Sequence, residues 1–172
     1  MSETPTDLMA FSPEGRCRVG ELSVDKMSVM PTKLMLAPLV KTLPQCIDAI
    51  LNADLVILGP GSFLTSVVPP LLVRDISKAL KKTKAHRVFI DNIVAENSPA
   101  DNLTLDEKLA WIEDNIGCLP IDSAICHDTN VTSTRVSVCH HELRSDTIAH
   151  YHSRDKLISA LNLCISKADK DN

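Results

Sequence analysis

Gly59, Gly61, Ser62, Thr65 and Ser66 crowd into one short run, ADLVILGPGSFLTS at 53–66. Glycines let a backbone approach an anion closely, and hydroxyls beside a helix start donate near the positive end of its dipole. The run opens with a short apolar strand, so the turn belongs beyond that strand's carboxyl end, where open α/β sheets bind ligands. Holding a phosphate is the chemistry such a turn could do. The same residues equally suit a tight βα turn with a Ser/Thr cap and no ligand.

The familiar nucleotide and nucleophile signatures fail here. Gly59-Pro60-Gly61 begins like a dinucleotide fingerprint, but Leu64 stands where the third glycine belongs. A P-loop needs Gly-Lys followed by Ser or Thr, and the chain has no Gly-Lys pair. A nucleophile elbow needs glycine two residues after its serine, whereas Ser62 is followed by Phe63 and Leu64. No catalytic residue is assigned, and Ser62 is not read as a covalent nucleophile.

Asp91 and Asn92 close the next apolar segment, which brings them to the sheet edge of the glycine turn if the two strands are parallel neighbours. Asn92 could bond a ribose, phosphate or sugar hydroxyl, although spacing alone favours an Asx turn ending the strand. Five of the six histidines lie between His127 and His152, with Cys126-His127 and Cys139-His140-His141 at two strand ends. Imidazole and thiolate are zinc ligands, yet no pair has a recognised structural-zinc spacing, and no metal site is assigned. Lys78, Lys81, Lys82 and Lys84 follow Arg74 with Asp75 as the one acid, and a solvated helix face explains them better than a nucleic-acid patch. Arg74 could reach a phosphate near the turn.

These residues need elements to hold them. Segments 7–11 and 16–22 flank Ser12-Pro13-Glu14-Gly15, the pattern of an antiparallel hairpin, and 33–37 is a further short strand closed by Pro38. From Thr42 onward helix and strand alternate. Thr42-Leu43-Pro44-Gln45 reads as a capping box before a helical face of Cys46, Ile47, Ile50 and Leu51. Strands follow at 55–58 and 88–90, each a continuous apolar run suited to cover on both faces. Between them 67–80 reads as helical, with Pro69 and Pro70 in a first turn or at a kink.

A second capping box, Thr104-Leu105-Asp106-Glu107, leads Leu105, Leu109, Ile112 and Ile116 along one face to Gly117. Segments 121–126 and 135–139 read as strands, and a last helix at 153–168 aligns Leu157, Ile158, Leu161, Cys164, Ile165 and Ala168, ahead of a polar tail at 167–172. This order predicts an α/β fold: a Rossmann-like three-layer sandwich with a mostly parallel sheet, right-handed crossovers and an antiparallel hairpin addition. One domain is expected over 1–172, with a β-rich region at 1–40 and an α/β core at 42–168.

The chain has 172 residues, 44% of them hydrophobic, enough for a core without staples. Its net charge of -4 and 3% aromatic content argue against a nucleic-acid partner. No apolar run is long enough for a bilayer and the start lacks signal-peptide character, so a cytoplasmic location and no membrane partner are expected. The six cysteines are widely spaced without a CxxC and read as free thiols in a reducing compartment. A homodimer is an admissible assembly.

ADLVILGPGSFLTSVVPPLLV resembles the signature of the gluconeogenesis-factor family, which also contains CofD, the phospholactate transferase of deazaflavin-coenzyme biosynthesis. The opening MSETPTDLMAFSPEG, KLMLAP, VFIDN, LTLDEKLAWIE and the closing amphipathic helix extend the likeness from about Met1 to about Lys167. The resemblance implies a Rossmann-like fold and a nucleotide diphosphate or UDP-sugar ligand. It also implies a regulatory role in growth and cell shape on gluconeogenic carbon sources. The ligand contacts it carries over are Gly59, Gly61, Ser62, Thr65, Ser66 and Asn92.

Family members also carry an N-terminal half with a GGGxG turn that this sequence does not contain. The resemblance therefore implies that Met1 corresponds to an internal methionine and that this chain is the C-terminal portion of a member. The transferase's metal and acidic residues belong to that other half. Transferase chemistry on a nucleotide-activated substrate, and a fragment that binds nothing, stand as the alternatives. Where other members read NLMTQxGET, this chain departs at Asn92-Ile93-Val94-Ala95-Glu96-Asn97.

Overall fold

The structure is a computed structural model describing residues 2–148 and 150–168. Of the expected polar tail, 169–172 lie outside the described residues. Strands β1 (Asp7–Phe11), β2 (Cys17–Val19) and β3 (Lys33–Ala37) form an antiparallel sheet in the order β2-β1-β3. Strands β4 (Leu55–Leu58), β5 (His86–Ile90), β6 (Ser123–Cys126) and β7 (Ser137–His140) form a second sheet, in sequence order and parallel throughout. The fold is α/β as expected. The hairpin, however, belongs to its own small sheet.

Short parallel strands need covering on both faces, and the alternation along β5 shows how this is met. Phe89 joins Leu58, Ala124 and Cys126 in the larger core, packed under α3 (Val68–Leu72), α4 (Arg74–Lys82), α5 (Leu105–Ile116) and the small sheet. Val88 joins Ile125 and Cys139 on the opposite face, packed against α6 (Arg154–Ala168). Helix α6 covers β6 and β7. Ile57, on the outer strand β4, is left 43% exposed. Among the described residues no helix is long and apolar enough to cross a membrane.

Three local expectations need correction. The second strand ends at Val19, not at 22, because Gly20 turns the chain at φ 86 into α1 (Glu21–Asp25), leaving Leu22 exposed and Val24 buried. Helix α2 (Pro44–Leu51) starts one residue later than a Thr42 cap requires. Pro44 occupies the first helical position and restricts the residue before it to extended geometry, so Leu43, at ψ 137, becomes the N-cap. The Thr42 hydroxyl is then buried with no hydrogen-bond partner. In α6 the buried stripe runs through Leu157, Ala160, Leu161 and Cys164, while Ile158 faces solvent.

The Thr104 capping box is present in both directions, and Gly117 ends α5 at φ 77. Asp106, in the first turn, accepts from the hydroxyls of Ser133 and Thr134 and from the Thr134 amide, and these bonds hold its carboxyl down to about 2. The depressed value means that this clamp is complete above the ordinary value of 3.8 and is lost as pH falls through about 2. Acid titration of Asp106→Asn beside the parent should show the parent losing stability between these values. The variant should lack that increment, and parallel curves would refute the clamp.

Candidate functional site

Parallel pairing of β4 and β5 places the turn after Leu58 and the residues after Ile90 at one carboxyl edge. Gly59 adopts φ 82, and a Cβ on it would lie 2.8 Å from the Ile90 carbonyl oxygen. At Gly61 a Cβ would lie 2.9 Å from the Ser66 Cβ. The Gly59–Pro60 peptide is cis. The glycines therefore bring the turn into close contact with β5 and with the segment that follows. A π turn, Phe63–Val67, then leads directly into α3. Phe63 anchors it, fully buried and edge-on to Trp111 of α5 at 6.0 Å.

The hydroxyls have partners that spacing did not reveal. Ser62 Oγ donates to Asp25 Oδ1 at 3.2 Å, and Thr65 Oγ1 reaches both carboxylate oxygens of Asp25. The Phe63 amide donates to Glu96 Oε2 at 2.9 Å. Asn92 Nδ2 donates to the Gly61 carbonyl at 3.2 Å and approaches Glu96 Oε1 at 3.4 Å. Ser66 is exposed at the same turn. The six candidate residues thus come together at one edge, and two carboxylates already accept from the donors that a phosphate would use.

Beyond the ends of β5 and β6 lies a cavity of about 260 Å³. Asp91, Asn92, Glu96, Asp101, Lys108, His127 and Asp128 supply its polar lining. Lys108 Nζ meets Asp91 Oδ1 at 2.8 Å, with side chains only 11% and 14% exposed. Cys126 also lines the cavity, and burial pushes its thiol up to about 12, with the nearby Asp91 charge adding to the effect. A thiol so held stays protonated and is a poor nucleophile or metal ligand. Acceptors dominate this surface, so it suits the hydroxyl donors of a sugar better than a second anion.

Asp25, Glu96 and Lys108 are the site residues that sequence reasoning did not assign. Lys108 left a readable trace, since it falls between Leu105 and Leu109 on the apolar stripe of α5. Asp25 left none, because it reaches the turn from 37 residues away. Arg74 lines a different groove, beside β3. The two Cys-His strand ends do meet, with Cys126 opposite His140 in the β6–β7 register. His140 Nε2 bonds the Val131 carbonyl and His127 Nδ1 accepts from the Leu143 amide. Among the described residues no group of three or more His, Cys, Asp or Glu could hold a metal ion.

Comparison with known proteins agrees with this architecture. Residues 1–164 match the family described as 2-phospho-L-lactate transferase CofD. A Pasteurella multocida protein named "Putative gluconeogenesis factor" is 38% identical over 166 residues, which are 94% of this chain and 54% of that protein. The Halalkalibacterium halodurans "Gluconeogenesis factor" is 34% identical over 122 residues, 70% of this chain and 38% of that protein. A crystal structure of a UPF0052 family member from Bacillus halodurans superposes with a TM-score of 0.81 at 25% identity, covering 93% of this chain and 59% of that one. The chain spans about half the length of the Pasteurella multocida and Yersinia pestis relatives that it matches over 94% of its own length. Matched along nearly its entire length, the chain belongs to the CofD family.

Proposed function

We propose that this chain is a cytoplasmic binding module of the gluconeogenesis-factor type, with a nucleotide diphosphate or nucleotide sugar at the carboxyl edge of its parallel sheet. The carrying observation is the joining of the glycine turn to the neighbouring cavity through the Asn92–Gly61 bond. In this reading phosphates lie against Gly59, Gly61, Ser62, Thr65 and Ser66, and the sugar hydroxyls meet the acceptors beyond β5 and β6. Its role in this reading is regulatory, supporting growth and cell shape on gluconeogenic carbon; the relatives' names support the link to gluconeogenesis alone. The Pasteurella multocida relative carries nearly half its length outside the match, and the Halalkalibacterium halodurans relative more than half. Strand β4 ends the parallel sheet, and that edge is a suitable place for further polypeptide to add a strand.

Calorimetric titration of UDP, GDP and a UDP-sugar into this chain and into a full-length relative tests the reading. Saturable binding is expected in the relative, and absence of binding there refutes it. Asn92→Ala in this chain, and the equivalent change in the relative, should weaken binding about tenfold, the effect of removing one hydrogen bond to the ligand. Unchanged affinity would leave Asn92 with only its contacts to Gly61 and Glu96.

A further inference from the structure

A groove of about 740 Å³ lies between β3 and the α3–α4 segment and is bounded by the last turn of α5. It shares no residue with the cavity beyond β5 and β6. Its floor is aliphatic: Leu34, Leu36 and Leu71 are buried, and Leu39 lies beside them 75% exposed. Lys33, Lys41, Arg74 and Lys78 line it, against Asp75 as the one acid. None of these four cations pairs with a carboxylate among the described residues. Such a concentration of unpaired positive charge stands out in a chain of net charge -4.

Arg74 and Lys78 are one turn apart and share a face of α4. Val73 gives the helix no side-chain cap, so the positive end of its dipole adds to these charges. The volume falls within the range of small-molecule sites, roughly 300–1,000 Å³. No aromatic ring lines the groove, so it offers nothing for a nucleobase to stack on. Leucines supply an apolar bed and the cations select the sign of charge.

We propose that this groove binds an amphiphilic anion, with an aliphatic body along Leu34, Leu36 and Leu39 and a carboxylate or phosphate head against Arg74 and Lys78. This site is separate from the glycine turn, and its occupancy does not depend on nucleotide binding. Titration with decanoate and decyl phosphate, each below its micelle concentration, tests it beside neutral decanol and cationic decyltrimethylammonium.

Saturable binding of one or both anions is expected, with decanol at least tenfold weaker, and the two arms identify the head group. Arg74→Glu/Lys78→Glu should weaken the anion at least tenfold. Should that variant melt below the assay temperature, the milder Arg74→Gln/Lys78→Gln and a salt series replace it, with affinity expected to fall as salt rises. Equal affinity for decanol, absence of saturable binding, or charge variants that bind like the parent would overturn the proposal. Association with anionic vesicles without binding of either monomeric anion would also overturn it, in favour of a membrane surface.

Discussion

Replacing Lys108 by Ala should remove about 3–5 kcal/mol of stability, the largest loss expected from any single polar side chain here. The Lys108 ammonium lies 2.8 Å from Asp91 in surroundings that leave each side chain mostly dry. Attraction between the two charges offsets their desolvation, so the intact pair need contribute little net stability. Removing one partner leaves the other charge buried without compensation. In a domain of this size a loss of that order lowers the melting temperature by roughly 10 °C.

The double variant Lys108→Met/Asp91→Asn separates this cause from lost packing. It nearly keeps the volume of both side chains and removes both charges, so it should recover most of the deficit. Urea unfolding of the two variants beside the parent is the measurement. A single-variant loss below about 1 kcal/mol would show that water reaches Asp91 and that the pair is effectively a surface one. The pair also lines the cavity beside the glycine turn. Its disruption should therefore impair ligand binding even at temperatures where the variant remains folded.

How much of the fold is legible in the sequence depends on how local the cause is. Helix α5 is readable from both ends, because its capping box and left-handed glycine are short-range hydrogen-bond and steric devices. Strands β4 and β5 are readable as unalternating apolar runs, and their parallel order follows from the helices between them. The cap of α2 departs from its motif because Ser/Thr-x-x-Gln forms a box only if the next residue can be helical, and Pro44 forbids that for Leu43. Ile158 leaves the expected stripe because helical spacing admits two overlapping faces, and the choice falls to the partner surface, here Val88, Ile125 and Cys139.

The candidate site shows the same division. The position of the glycine turn at a sheet edge is a topological consequence and follows from the sequence. The carboxylates that engage it do not, since Asp25 arrives through the small antiparallel sheet and α1, and Glu96 through a loop that doubles back after β5. Both contacts join residues more than thirty positions apart. No periodicity encodes them. They alter the electrostatics of the turn, because the Ser62 and Thr65 hydroxyls and the Phe63 amide donate to carboxylates that an incoming phosphate would have to displace.

Gly59→Ala should cost about 2–4 kcal/mol and displace the turn, whereas Gly15→Ala should cost only about 1–2 kcal/mol. Both glycines have positive φ, 82 and 78 respectively, so backbone strain is common to the two variants. They differ in what a methyl group meets. At Gly15 there is open space, while at Gly59 the new carbon would sit 2.8 Å from the backbone oxygen of Ile90. Neither side can yield cheaply, because Ile90 is buried in the central strand β5 and Gly59 is held by the closing of β4. The difference in unfolding free energy between the variants isolates the steric part, and equal losses would show that the edge of the sheet relaxes. Displacement of the turn would separate the Gly61 carbonyl from Asn92, the bond that joins the turn to its cavity. Nucleotide affinity should therefore fall in the Gly59 variant and remain at the parent value in the Gly15 variant, whose turn lies between β1 and β2.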